Sequence, residues 1–270
     1  MLIEWLQYLA TPCPKYLRAM GYPQEIIATQ ARYRRCREAW RPHLENTKAF
    51  ILESAAAAKG DRTAVVLGSG MLLDVPLAEL SQRFEQVILV DILHLPWVKF
   101  RARRYPNVRF EELDVTGVCE LIFEQVKRMR SGRGTVPKLP ELLPKPLAQS
   151  LGVSSIDFLA SVNLLSQLPI LPLAYLEKHS PAYSEEEFGV FASLLFRNHL
   201  LHLKASSEQV CLITDLERIT LDNLGNLIER ENALYDSMSL IPKVVWNWRI
   251  APQTETATDT EICHRVGWID

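Results

Sequence analysis

The sequence predicts an α/β fold: a mostly parallel sheet with helices on both faces, closed by a C-terminal hairpin and preceded by a helical cap. Three observations carry that expectation. From residue 61 on, apolar runs of strand length alternate with longer helical stretches, as in a sheet covered on both sides. Four of the five runs stop at a glycine or an aspartate, residues that favour turns. The last two strand-like segments are separated only by a polar turn region, so they should pair as an antiparallel hairpin.

Residues 1–60 form the expected cap. Ile26, Tyr33, Cys36, Trp40, Leu44 and Ile51 recur at helical spacing and define one apolar face. Pro42 marks a break or a fresh first turn, because its ring cannot continue the ladder behind it. Arg34, Arg37 and Arg41 share another face, with Arg32 and Arg35 nearby. A solvated face is the ordinary reading of such a run, and a patch for an anionic substrate is the functional one.

The second region, residues 61–270, begins with strand-like runs at 64–67, 87–90, 108–113, 156–160 and 210–214. Helices are expected at 75–84, 95–104, 118–130, 185–203 and 224–240, and the hairpin strands at 244–250 and 262–269. That makes seven strands. Residues 131–150 carry Pro137, Pro140, Pro144 and Pro146 and read as an irregular surface connection. Residues 168–184 are too apolar for a free loop, so they cover either a ligand or the N-terminal helices.

Composition narrows the function classes. With 48% hydrophobic and 23% charged residues the chain is an ordinary globular one, not a disordered polymer. A net charge of −2 argues against nucleic acid as partner. No apolar run reaches the roughly 20 residues of a membrane span, and the opening residues lack a basic leader. Five scattered cysteines without a CxxC pair point to a reduced, cytoplasmic protein with no metal. His199 and His202 sit three apart, but no third ligand accompanies them.

The pointed polar residues lie at strand ends, where an open parallel sheet binds its ligands. Gly68-Ser69-Gly70 follows the first run and precedes a helix, allowing a tight turn and close backbone approach. Asp91 ends the second run 23 positions after Gly68, and a carboxylate there can accept from both hydroxyls of a ribose. Asp114 ends the third run another 23 positions on and can accept from an exocyclic amine. Together they point to a nucleoside-containing cofactor.

With these motifs, ValValLeuGlySerGly at 65–70, ValIleLeuValAsp at 87–91, PheGluGluLeuAsp at 110–114 and AspPheLeuAlaSerValAsnLeuLeuSer at 157–166, the region resembles class I S-adenosylmethionine-dependent methyltransferases. The resemblance implies a Rossmann-like seven-stranded sheet with one reversed strand, and S-adenosyl-L-methionine as cofactor. It implies that Gly68, Ser69 and Gly70 line the methionine and ribose portion and that Asp91 holds the ribose hydroxyls. Ile92 would lie against the adenine, Asp114 and Val115 would meet its amine edge, and Ser161 and Asn163 would face the methyl-transfer zone. A family acid is replaced by Val66 and a common third glycine by Leu72. The Asn-Pro-Pro-Tyr signature of base- and amide-methylating enzymes is missing.

The expected activity is methyl transfer to a small molecule by in-line displacement, which needs alignment more than a base. His199, Tyr175 and His43 are candidate bases, as is Tyr183. Two alternatives stay open: a methyltransferase-like protein that binds without catalysing, and an NAD(P)-dependent oxidoreductase. Against the latter, the final glycine of its fingerprint is replaced by Leu73.

Overall fold

The computed structural model describes residues 2–131, 146–179, 183–256 and 259–270. The irregular connection expected at 131–150 therefore lies mostly outside the described residues. Three helices open the chain: α1 (Leu2–Ala10), α2 (Lys15–Met20) and α3 (Tyr22–Ala56). Then come β1 (Thr63–Leu67), α4 (Leu77–Arg83), β2 (Gln86–Asp91), α5 (Pro96–Ala102), β3 (Val108–Glu112), α6 (Cys119–Arg130) and α7 (Leu147–Leu151). The second half holds β4 (Phe158–Val162), α8 (Ile170–His179), α9 (Glu185–Ser206), β5 (Val210–Leu221), β6 (Leu227–Asn232), β7 (Val244–Ala251) and β8 (Glu261–Ile269).

The sheet runs β3-β2-β1-β4-β5-β8-β7, with β1 through β5 parallel along this path and β8 reversed between β5 and β7. This is the seven-stranded, hairpin-ended sheet the sequence predicts. An eighth strand, β6, pairs antiparallel with the far end of β5. It occupies part of the stretch expected to be a helix at 224–240, and that expectation is wrong. Asp222 Oδ1 accepts the backbone N–H groups of Leu224 and Asn226, both at 2.8 Å, and Gly225 adopts φ +83°. The resulting tight turn sends the chain back along β5. Every residue of β6 is exposed, so the apolar spacing there found no partner face.

Strand periodicity divides the core in two. Val65, Leu67, Ile88, Val90 and Leu159 face α2, α6, α8 and α9 through Leu17, Ile122, Leu176 and Phe196. Ala64, Val66, Leu89, Phe158, Ala160 and Ile213 face α4 and the second half of α3 through Leu80, Trp40 and Ile51. The buried line along α3 is Cys36, Trp40, His43, Thr47, Ile51 and Ser54, so the expected apolar stripe also carries polar residues. Pro42 sits inside α3, and the non-helical residue is Cys36 (φ −100°, ψ 17°), upstream of the proline. The break lies two residues before Glu38, whose carbonyl loses the proline's hydrogen bond, so the helix continues through Pro42 itself.

The 168–184 segment is mostly α8. Pro172, Leu173, Tyr175 and Leu176 pack inward, while Leu168, Ile170 and Leu171 reach the cleft described below. Residues 180–182 lie outside the described ones.

Candidate functional site

A cleft of about 410 Å³ opens beyond the carboxyl ends of β1, β2 and β4. The strand order reverses between β1 and β4, which leaves room for a ligand there. Gly68 (φ +74°) and Gly70 (φ +47°) turn the chain from β1 toward α4, a conformation open to glycine at low cost. Gly68 and Ser69 donate their backbone N–H groups to Val90 O, at 3.0 and 3.2 Å, which pins the turn against β2.

Asp91 stands at the centre of the floor. Its Oδ2 accepts the Gly70 N–H at 2.7 Å and its Oδ1 the Ile92 N–H at 2.8 Å. Burial pushes this carboxyl up to about 6, against the pull of those backbone donors. Ile92, Leu113 and Val115 line an apolar flank beside it. Asp114 also lines the cleft, but its oxygens are engaged: Oδ1 accepts from the Thr116 N–H and hydroxyl, Oδ2 from the Cys119 N–H at 2.9 Å. It anchors the start of α6 while facing the ligand space.

The opposite wall holds a polar chain that the sequence reading only partly foresaw. Asn163, in the left-handed region at φ +49°, donates to Asp74 Oδ2 at 2.9 Å and lies 3.2 Å from His43 Nε2. The Trp246 indole N–H donates to His43 Nδ1 at 3.1 Å, and the ring stacks on Trp248 with centroids 4.0 Å apart. Burial drives His43 down to about 4, so it is neutral at pH 7. Burial also raises Asp74, opposed by Asn163 and by the charge of Lys48. Asn163 Oδ1 is buried with no partner, an acceptor left for a ligand donor.

Asp74 is the residue that sequence reasoning missed. Its only signal was an acid four places after Gly70, in a loop read for its glycines. Several other expected residues are placed elsewhere. Ser69 is buried and its Oγ lies 2.9 Å from His94 Nε2, on the side of the turn away from the cleft. Ser161 makes the same 2.9 Å contact with His199 Nε2 and is fully buried. It belongs to the face of β4 opposite Val162, which does line the cleft.

Among the candidate bases only His43 lines this cleft. His199 is sequestered with Ser161, Tyr175 packs on Phe123 and His179, and Tyr183 packs on Phe188. Arg41 pairs with Glu38 at 2.9 Å on the surface. Arg34 and Arg37 line a neighbouring groove. Tyr22, Glu25, Ile26 and Thr29 from the beginning of α3 close one side of the cleft.

The residues fit an S-adenosylmethionine-type ligand on the structure's own terms. A carboxylate with free lone pairs, an apolar slot and an unpartnered buried acceptor follow one another along one cleft. A Cβ on Gly70 would stand 4.0 Å from Asp91 Oδ2, so the glycine leaves the space before that carboxylate open. Among the described residues no helix is long and apolar enough to cross a membrane.

No family model and no curated protein matches the chain. Solved structures similar to it include the N-methyltransferase NodS from Bradyrhizobium japonicum WM9 in complex with S-adenosyl-L-homocysteine. That match has 8% identity and a TM-score of 0.36, and covers 84% of this chain and 87% of that one. Another is the 1,6-didemethyltoxoflavin-N1-methyltransferase from Burkholderia thailandensis, at 12% identity, 95% and 90% coverage, and a TM-score of 0.39. The 23S rRNA methyltransferase ErmE is similar at 12% identity over 82% of this chain and 67% of that one, with a TM-score of 0.29.

Proposed function

We propose that the protein is an S-adenosylmethionine-dependent methyltransferase of class I, acting on a small molecule in the cytoplasm. The observation that carries the reading is the Gly68–Gly70 turn held against Asp91 by the 2.7 Å Gly70 N–H bond, at the point where the strand order reverses. In this reading Asp91 accepts the ribose hydroxyls, Ile92, Leu113 and Val115 flank the adenine, and Asp114 with the Val115 backbone meets its amine edge. The Gly68 and Gly70 backbone lets the ligand approach closely. Asn163 and Asp74 accept from the methionine ammonium group.

The cofactor, when bound, supplies an electrophilic methyl group on a sulfonium. The chain's own task is then to bind, align and dry the acceptor. Residues 1–60 act as the cap of a 61–270 methyltransferase-like unit, with the first turns of α3 and the α8 segment closing the cleft. His43, neutral, with its Nδ1 lone pair taken by the Trp246 N–H and its ring stacked on Trp248, orients the acceptor. The five free cysteines fit a reducing compartment.

Calorimetric titration with S-adenosylmethionine, its demethylated product and NAD tests the reading. Micromolar binding of the first two, and none of NAD, is expected. Preference for NAD would transfer the site to the dinucleotide reading. Binding of the methyl donor without release of demethylated product in a metabolite extract would mark a non-catalytic binding protein.

A further inference from the structure

A second concavity, of about 700 Å³, lies between α1, α3, the 71–73 turn and α5. Its charged lining is entirely cationic: Arg34, Arg37, Lys48 and Arg101. Among the described residues, no carboxylate lies within 4.0 Å of any of their nitrogens. Neighbouring cations on the same helix are treated differently. Arg35 is matched to Glu255 at 2.8 Å and Arg41 to Glu38 at 2.9 Å. In a chain of net charge −2, three unmatched arginines beside Lys48, whose charge also reaches Asp74, are a local reversal of sign.

The neutral groups there are short of partners as well. The Trp97 indole N–H is buried without an acceptor and Gln7 Oε1 without a donor, and the Arg101 guanidinium lies 5.8 Å from the Trp97 ring centroid. A buried donor without a partner costs free energy, and a ligand acceptor would remove that cost. A groove rich in donors and without acids suits a multiply charged oxyanion, and the planar guanidinium groups suit phosphate oxygens in particular.

The groove shares a wall with the proposed cofactor cleft, since Met71 and Leu73 line both. Between them Leu72 is held at φ +59°, a strained conformation for a bulky residue. Strain at the partition places it among the segments whose shape the fold enforces.

We infer that this groove binds a phosphate or diphosphate group of the methyl acceptor, so that the substrate is a phosphorylated small molecule reaching past Met71 and Leu73 into the cleft. This rests on the methyltransferase reading for the word acceptor, but the anion site stands on its own residues. A bounded groove on a slightly acidic chain favours a small phosphorylated molecule over a nucleic-acid backbone.

The probe is inorganic pyrophosphate, titrated calorimetrically into the full chain, the Arg37→Ala and Arg101→Ala variants and Trp97→Phe. Saturable binding that weakens with salt is expected, with about a tenfold or greater loss in either arginine variant. S-adenosylmethionine titration of the same variants serves as the folding control and should be unchanged. Absence of saturable pyrophosphate binding, or equal binding in the arginine variants, overturns the site. A single-stranded oligonucleotide that binds far more tightly than pyrophosphate overturns the small-molecule assignment.

The link to the acceptor is read separately. Labelled methyl transfer into a metabolite extract should be lost after phosphatase treatment of the extract, and transfer that persists overturns that link. If pyrophosphate binds but S-adenosylmethionine does not, the methyltransferase reading fails while the anion site stands.

Discussion

Gly70 and Asp91, 21 residues apart in sequence, are locked together by a 2.7 Å bond from the Gly70 N–H to Asp91 Oδ2. The bond fixes the turn after β1 to the end of β2 and aims the carboxylate's remaining lone pairs into the cleft. Replacing Asp91 with Ala should weaken S-adenosylmethionine binding by about 1–3 kcal/mol, the scale of hydrogen bonds to a charged group. Since burial raises this carboxyl to about 6, affinity in the unmutated chain should also decline as pH falls below about 6. Calorimetric titration across that range checks both, and an affinity independent of both pH and the mutation would remove Asp91 from the site.

The two glycines of the turn should respond differently to alanine. A Cβ on Gly68 would stand 2.5 Å from Val162 O and 3.1 Å from Leu164 Cβ, so β4 must shift to admit it. Gly70 has no neighbour closer than 3.9 Å, and its substitution carries mainly the left-handed backbone cost of about 1–2 kcal/mol. Thermal melting should show Gly68→Ala as the more damaging change. Gly70→Ala should fold yet bind cofactor poorly, because the methyl group projects toward Asp91. Equal melting temperatures for the two variants would contradict the packing described.

Two histidines separate a structural role from a ligand-facing one. His199→Ala leaves the buried Ser161 hydroxyl without its partner, and His43→Ala strips the Trp246 N–H of its acceptor. Each should lower stability by about 1–3 kcal/mol in urea unfolding. Only His43→Ala should also reduce cofactor affinity or methyl transfer, because only His43 lines the cleft. A loss of function in His199→Ala beyond its loss of stability would show that the cleft extends to Ser161.

Acid should destabilise the fold well above the usual carboxylate range. Burial pushes His43 and His94 from 6.5 down to about 4, and His199 to about 3. Their unfolded forms take up protons near 6.5 and their folded forms do not, so their contribution is lost as pH falls from about 6.5 toward 4. Asp91 acts in the opposite sense. Raised from 3.8 to about 6, it is better tolerated protonated, and it favours the fold as pH falls through that window. Asp74, also raised by burial, acts in the same sense as Asp91, and the three histidines outweigh the two carboxyls. The urea midpoint should therefore drop between about pH 7 and about pH 5, and a flat profile would contradict neutral burial of the histidines.

The sequence by itself determined the succession of β1 through β5 along the chain, the C-terminal hairpin and the helices at α4, α5, α6 and α9. These rest on local rules, namely strand-length apolar runs, turn residues and helical spacing, and burial on both faces of a sheet reinforces them. That Gly68, Gly70, Asp91 and Asp114 line a cleft beyond the strand ends was legible for the same reason, because the end of a parallel strand is a fixed address.

Only the tertiary structure decided the rest. It turned the Ser69 and Ser161 side chains away from the cleft toward buried histidines, since one step along a strand or turn reverses the direction of a side chain. It made 227–232 a strand, because a side-chain-capped turn at Asp222 outcompeted helical spacing that had no face to bury. It brought His43, Asp74, Asn163 and Trp246 into one hydrogen-bonded chain, although they span more than two hundred residues of sequence. It also split the arginine face of α3, matching Arg35 and Arg41 with acids and leaving Arg34 and Arg37 to a groove completed by Lys48 and Arg101. Contacts between distant elements depend on how the layers pack, and no local pattern in a single sequence records that.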